Sequence, residues 1–242
     1  MVSETGHRPW PLPDTRWVMA QTWDDLLFAH WRVDYDAVRQ HIPSGLELER
    51  HDGSAWVGVT PFVITGFRLR GTPALPVFST FPEINVRTYV NAGGGEKPGI
   101  WFFSLDTSSQ IAVEGARRTY RLPYHHAQMR VEQRGERIEY SSSRRGAARP
   151  HVFRGTYGPV GAPAPAAPGS LEYFLTERYC LYAEHEGRLC RADIHHPPWP
   201  LQTGEATIEL NTMAPDGIDL DGEALCHFSR RQDVVIWSPD SV

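Results

Sequence analysis

The sequence predicts a β-rich α+β fold, a barrel or sandwich of antiparallel strands with short helices on its outside. Short runs rich in β-branched and aromatic residues recur along all 242 residues, and glycine or proline turns separate them. We count about ten such strands against two or three helical segments. Neither an internal repeat nor a coiled-coil heptad pattern is present.

The chain begins with an arm, a strand and a helix. Prolines at alternate positions predict that residues 1–15 lie extended over the surface. The apolar run 26–33 predicts a strand that crosses the core. Asp34 or Asp36 can then cap a short helix that ends near Ile42.

A hairpin and a meander are expected next. Residues 46–49 and 55–64 are predicted to pair across an Asp-Gly turn. Strand-like runs follow at 81–90 and 100–106, with glycines between them. Consecutive strands joined by short glycine turns favour an antiparallel meander.

The second half of the chain predicts one longer helix, further hairpins and a basic turn. Thr107 and Gln110 match a capping box, so a helix is expected from about Ser108 to Arg118. The arginines of 144–149 are typical of a solvated turn. The remaining predicted elements are a hairpin of 127–132 with 137–141, a helical turn at 170–175, a hairpin of 178–184 with 189–196, and strands at 207–210, 224–228 and 234–237.

One segment bears on domain organisation. Residues 159–169 are rich in proline and alanine, which is typical of a linker or a long surface loop. The loop is favoured, because neither flank shows enough strands for a separate sandwich. We therefore expect a single domain over residues 1–242.

Composition excludes several classes of function. A net charge of -5 and a pI near 6.1 give no electrostatic attraction to nucleic acid or to an anionic membrane. Neither a signal peptide nor a run long enough to span a bilayer is found, so the protein is expected to be cytoplasmic. Its three cysteines show no paired spacing, which argues against a disulfide framework.

The strand at 81–90 carries the most chemistry. Side chains alternate along a strand, so Phe81, Glu83, Asn85, Arg87 and Tyr89 share one face, and apolar residues form the other. The polar face is either exposed to solvent or the wall of a cavity. Two aromatic rings beside the charges favour the cavity, in which the arginine would bind an anion and the carboxyl would move a proton.

Histidines and the single lysine offer alternatives. A zinc site from His30, one member of each pair 125–126 and 195–196, and Glu83 has suitable ligand types, but no known ligand spacing supports it. We therefore predict no metal and no other cofactor. Lys97 follows three glycines in a turn, where it is expected to be solvated and a poor former of a Schiff base.

Several segments of the chain together carry a family resemblance, namely residues 26–31, 43–47, 55–62, 81–90, 102–106, 116–117, 122–124, 168–172, 195–201 and 227–229. They resemble the YqjF-like family of bacterial proteins over nearly the whole chain. That family is similar in fold to acetoacetate decarboxylase, whose curved antiparallel sheets form a cone-like barrel around a central pocket. The resemblance thus implies a cone or barrel with a few outer helices.

The resemblance also implies a departure from decarboxylase chemistry. In the decarboxylase, the Schiff-base lysine directly follows a proline. Placing that segment on residues 117–125 puts Tyr124 where the lysine would be. Without an amine at that position, the electron sink for decarboxylating a β-keto acid is gone, and Lys97 could replace it only if the glycine turn folded inward.

The resulting prediction is an enzyme that acts on an oxygenated organic acid or polyketide-like metabolite by acid/base chemistry, of isomerase, dehydratase, cyclase or lyase type. Alternatives are a non-catalytic binder of the same fold and a histidine-ligated zinc hydrolase. An exposed strand edge would also allow pairing with a second subunit. The predicted catalytic residues are Glu83, Tyr124 and His125, and the predicted substrate-binding residues are Asn85, Arg87, Arg121, Phe81, Tyr89, His30 and Trp31.

Overall fold

The computed structural model describes residues 2–74, 79–94 and 97–242, and these form thirteen strands and three helices. The strands are β1 Met19–Val33, β2 Leu46–Leu48, β3 Ala55–Leu69, β4 Phe81–Ala92, β5 Gly99–Thr107, β6 Tyr124–Arg134, β7 Arg137–Arg144, β8 Val152–Ala164, β9 Cys180–His185, β10 Arg188–His195, β11 Leu201–Asn211, β12 Leu225–Ile236 and β13 Asp240–Ser241. The helices are α1 Tyr35–Arg39, α2 Gln110–Thr119 and α3 Leu171–Thr176.

The strands belong to one curved sheet that closes on itself. Its order is β13-β10-β9-β5-β6-β7-β8-β11-β12-β1-β3-β4-β2, and β4–β5 and β10–β12 pairings join distant parts of that order into rings. Most neighbours are antiparallel, but β5 runs parallel to both β6 and β9. The predicted β-rich fold with curved sheets and a few short helices is confirmed.

The meander and the two later hairpins are confirmed, but the first hairpin is wrong. β3, β4 and β5 are antiparallel neighbours, as are β6 with β7 and β9 with β10. The segment expected to pair with β3 is β2, and it pairs with β4 instead, with Leu46 opposite Ala92. The reason is that β1 and β4 already occupy the two edges of β3.

Helix caps differ in detail from the prediction. Asp34 caps α1, as one of the two predicted alternatives. The cap of α2 is Ser109, whose hydroxyl accepts from the Ala112 amide, and not Thr107. Thr107 is still part of β5, and its hydroxyl donates to the Pro82 carbonyl at 2.9 Å. The helix therefore begins further along the chain than predicted, because Thr107 still belongs to the paired strand.

The segment 159–169 is only partly a loop. It lies on the surface as expected, but β8 continues to Ala164. Its pairing with β11 shifts register between Val160 and Ala164, and strand irregularities of this kind accommodate glycine and proline.

The N-terminal arm is irregular, as predicted, and it is anchored on β10. Buried Arg8 donates from Nη1 to the Ile194 carbonyl at 2.6 Å, and Trp10 donates to Asp193 at 2.8 Å. Among the described residues, no helix is long and apolar enough to cross a membrane.

The core lies on one face of β1, β3 and β4. Val57, Val59, Ile84 and Val86 belong to one apolar cluster and are fully buried. Residues that alternate with them on the same strands point to the opposite face. This arrangement directs the polar face of β4 toward the interior of the curved sheet.

Candidate active site

A cavity of about 1000 Å³ lies on the inner face of the sheet. Phe81, Glu83, Asn85 and Arg87 of β4 all line it. Each of the four side chains is buried, so the polar face of the strand is a cavity wall and not a solvent-exposed surface. Other walls come from β1, β3, β5, α2 and the segment around β9 and β10.

Glu83 and Tyr124 form a buried pair in this cavity. The Tyr124 hydroxyl donates to Glu83 Oε2 at 2.8 Å. Burial raises the pKa of Glu83 to about 8, the tyrosine hydrogen bond opposes that shift, and the charge of Asp106 adds to it. A carboxyl with this pKa is mostly protonated at neutral pH and can both give and take a proton.

The neighbouring part of the cavity holds polar atoms without a protein partner. Among the described residues, Arg87 Nε and Nη2, Asn85 Oδ1 and Thr60 Oγ1 are buried and make no hydrogen bond. Thr60 lies directly opposite Asn85 in the pairing of β3 with β4. The Arg87 guanidinium stacks over Phe28, 5.1 Å from the ring centre. Unpaired donors on a buried guanidinium form a binding site for a carboxylate.

A hydrogen-bonded chain lies behind Arg87, and its member Tyr89 is a hydrogen-bond partner of the Arg87 side chain. Tyr89 donates to the Leu175 carbonyl at 2.8 Å, and its oxygen lies 2.6 Å from His30 Nε2. Since the tyrosine proton goes to Leu175, the histidine carries its proton on Nε2. Burial lowers the pKa of His30 well below its usual value, so the ring is neutral.

Arg178 also lines the cavity and was missed by the sequence analysis. Its guanidinium pairs with Glu49, and its Nε donates to the Phe174 carbonyl at 2.7 Å. Glu49 lies far away in the sequence, and Arg178 lies in the short segment between α3 and β9, so no local pattern marks it as a cavity residue. Because those contacts engage it, Arg87 is better suited to bind a ligand anion.

The predicted site residues fall into two groups. Phe81, Glu83, Asn85, Arg87 and Tyr124 line the cavity, with His30 and Tyr89 behind Arg87. The others lie elsewhere: Trp31 belongs to the apolar core, Arg121 lines a separate cavity of about 320 Å³, and His125 follows Tyr124 on β6 beside Arg117, Arg144 and His151. Adjacent strand residues face opposite ways, which accounts for Trp31 and His125.

Two expectations about basic residues need correction. Lys97 is three-quarters buried, with Nζ 3.6 Å from Asp193 Oδ2 and 5.5 Å from the centre of the Trp10 ring. The anchored N-terminal arm covers much of this lysine, which is therefore only partly solvated, and Lys97 is not among the residues that line the cavity. Gly95 and Glu96 of the same turn lie outside the described residues. Arg144 is not in a solvated turn but makes a buried bidentate pair with Asp106 at 2.7 and 2.9 Å.

The histidines are not gathered into one cluster. Within the described part of the chain, no group of three histidine, cysteine, aspartate or glutamate side chains is placed to hold a metal ion. His195 and His196 illustrate the reason, because His196 lines the cavity whereas His195 stacks on His7 of the arm.

A family model, DUF2071, described as an uncharacterized conserved protein, matches residues 20–239. The chain belongs to this family. The uncharacterized protein YqjF of Bacillus subtilis strain 168 is 46% identical over 228 residues, which cover 93% of each chain. The resemblance to YqjF-like proteins is thus confirmed.

Solved structures share the fold at low sequence identity. The enduracididine biosynthesis enzyme MppR in complex with pyruvate has a TM-score of 0.65 and 13% identity, covering 98% of this chain and 93% of that one. Acetoacetate decarboxylase from Legionella pneumophila has a TM-score of 0.63 and 12% identity, covering 96% of this chain and 92% of that one. The acetoacetate-decarboxylase-like fold of this DUF2071 member is therefore confirmed.

Proposed function

We propose that the protein is an enzyme that binds an oxygenated organic acid in the central cavity and transfers protons without a Schiff base. One observation carries the proposal: Arg87 presents two buried nitrogens, unpaired among the described residues, in the cavity that also holds the Glu83–Tyr124 pair. A fixed anion site in the same cavity as a carboxyl of raised pKa is the combination that acid/base chemistry on an organic acid requires.

The mechanism uses groups of this chain alone. Arg87 holds the substrate carboxylate through Nε and Nη2, and Thr60 supplies a further hydroxyl at the next register position. In its ionised fraction, Glu83 removes a proton from a carbon beside a carbonyl. The Tyr124 hydroxyl, freed from the carboxylate as that becomes protonated, then donates to the developing enolate oxygen.

An imine route has no suitable amine. Lys97 is the single lysine of the sequence, and its amine faces Asp193 and Trp10 outside the cavity. At the position where the resemblance to the decarboxylase puts the lysine, this chain has Tyr124, whose hydroxyl donates to Glu83. The solved neighbour MppR is described with pyruvate bound, which supports an oxo acid as the class of ligand to test.

The geometry of β4 sets the distance between the carbonyl and the carboxylate of the substrate. Glu83 and Arg87 are four residues apart on β4, and four strand residues span about 13 Å. A carbonyl that reaches Glu83 while its carboxylate lies on Arg87 must be several bonds from that carboxylate. We therefore expect 4-oxo and 5-oxo acids to react better than pyruvate.

Hydrogen–deuterium exchange tests the proposal. Wild-type protein is incubated in D2O with pyruvate, levulinate or 5-oxohexanoate, and loss of the proton signal beside the carbonyl is followed by NMR. We expect exchange above the buffer rate for the longer acids, rising with pH through a midpoint near 8. Glu83→Gln should slow it about 100-fold or more.

The matched control is Glu209→Gln, at an exposed position of β11, which should leave the rate unchanged. Equal rates for wild type and Glu83→Gln would contradict the proposed proton transfer. Tight carboxylate binding that depends on Arg87, with no exchange for any acid, would instead make the protein a non-catalytic binder.

A further inference from the structure

The two ends of the cavity differ, and the register of β3 with β4 gives the order of the lining residues from one end to the other. Arg87 comes first, then Asn85 opposite Thr60, and then Glu83 opposite Phe62. Among the described residues of β3 and β4 that line the cavity, those with an unpaired polar atom are Arg87, Asn85 and Thr60. Successive register positions on one face are separated by about 7 Å, so these groups follow one another along the cavity.

Beyond Glu83 the lining of β3 and β4 becomes mostly apolar. Phe81 pairs with Ile64 at the next position, and Phe67 and Leu69 follow along β3, with Arg68 between them. Exposure increases in the same direction, from 3% at Ile64 to 55% at Leu69. The apolar end is therefore the mouth, and the charged end is the closed end.

The mouth is bordered by apolar residues that contact solvent. Leu69 of β3 and Ile111 of α2 are 55% and 65% exposed, and both line the cavity. They are among the few large apolar side chains that the described part of the protein exposes. Exposed apolar residues at the rim of a deep cavity are well placed to contact an apolar ligand.

The size of the cavity also favours a ligand with an apolar part. About 1000 Å³ is the upper end of the range in which proteins enclose drug-sized ligands. A molecule as small as pyruvate would occupy only the Arg87 end and leave the apolar part unfilled. The lining thus fits a ligand with a charged head and a long apolar body.

We propose that the natural ligand is an amphipathic monocarboxylate, whose carboxylate binds Arg87 at the closed end and whose unbranched apolar chain passes Glu83 and emerges between Leu69 and Ile111. This inference rests on the proposed function, because it uses Arg87 as the anion site. It goes further by assigning the apolar half of the cavity to an acyl-type chain.

A chain-length series tests the inference by isothermal titration with butyrate, hexanoate, octanoate and decanoate. Each methylene buried in the cavity should strengthen binding about threefold to fourfold, which amounts to roughly 1000-fold across the series. Arg87→Met should weaken the binding of every acid. 1-Decanol should bind the wild type more weakly than decanoate.

Substitutions at the mouth test where the apolar chain of the ligand lies. Leu69→Glu and Ile111→Glu are at exposed positions, so they are expected to fold. Each should weaken decanoate binding at least about tenfold, since a charge would contact the chain, and leave butyrate binding unchanged. Leu210→Glu, at an exposed position outside the cavity, is the control and should change neither affinity.

The outcomes separate this inference from the proposed function. Equal affinities for all four acids, each lost in Arg87→Met, would overturn the acyl-chain inference and leave the anion site intact. Decanoate binding that Arg87→Met does not alter would overturn it as well, because the chain would then lie in the opposite direction. If none of the acids binds, both proposals fail.

Discussion

Arg87, Asn85 and Thr60 have buried polar atoms without a partner among the described residues, and each such atom costs free energy. A protein that only needed to fold would be more stable with apolar side chains at these positions. Their retention in a single wall of the cavity is typical of a site arranged for a ligand.

Glu83 gives a prediction on stability at the residue scale. Its pKa is raised from 4.5 to about 8 by burial, so between these values the folded protein holds a proton that the unfolded chain has lost. The free energy of unfolding of the wild type therefore falls as pH rises from about 5 to 8. Glu83→Gln lacks this titration and keeps an oxygen to accept from Tyr124.

Thermal unfolding of both proteins across this range is the measurement. The advantage of Glu83→Gln over the wild type should grow by on the order of 2–4 kcal/mol between pH 5 and 8. The free energy of unfolding of Glu209→Gln should depend on pH in the same way as that of the wild type. A constant difference between Glu83→Gln and the wild type over the whole range would show that this carboxyl has an ordinary pKa.

Some residues of the site could be predicted from the sequence and others could not. The alternation of Phe81, Glu83, Asn85 and Arg87 is a local property of one strand, and the structure places all four on the cavity wall. Thr60 reaches the same cavity from β3, through a pairing that no local pattern encodes, and Arg178 reaches it from the segment between α3 and β9. The cavity itself depends on the closure of the sheet.

Some strands and helices could likewise be predicted from the sequence, and others could not. Contiguous patterns correctly predicted β4, the β6–β7 hairpin and the β9–β10 hairpin. The pairing of β2 with β4 and the parallel contact of β5 with β6 were not predictable, because competition among distant strands decides them. The cap of α2 is Ser109 and not the predicted Thr107, because the pairing of β5 extends to Thr107.

The crossing of β1, β3 and β4 gives a prediction at the element scale. Gly58 of β3 lies opposite both His30 and Arg87. A Cβ at Gly58 would be 2.9 Å from His30 Cδ2 and Nε2, and 3.6 Å from Arg87 Cγ. The glycine therefore lets the three strands approach closely enough for His30 to reach Tyr89.

Gly58→Ala should lower the free energy of unfolding by about 1–3 kcal/mol, because the fully buried His30 ring cannot move away without strain. It should also weaken carboxylate binding by displacing the support of Arg87. Gly93→Ala, at an exposed position where a Cβ meets nothing within 4 Å, is the control and should have little effect on either quantity. Chemical denaturation and titration with octanoate provide the two readouts, and unchanged stability would contradict the close approach.

At the scale of the whole molecule, the closed sheet encloses a cavity that is charged inside and mostly apolar at its mouth. The fold is shared with acetoacetate decarboxylase, and Lys97 is not among the residues that line the cavity. We propose that Arg87, which has no carboxylate partner among the described residues, is held in this state so that it can bind the carboxylate of a ligand.

Thermal unfolding of the wild type and Arg87→Met, each without and with saturating octanoate, tests this claim most directly. Arg87→Met should be more stable than the wild type without ligand, by about 1–3 kcal/mol, because it removes an unpaired buried charge. It should lose most of the stabilisation that octanoate gives the wild type, whereas Arg188→Gln, at an exposed position, should retain it. A less stable Arg87→Met protein that octanoate still stabilises as strongly as the wild type would contradict the account.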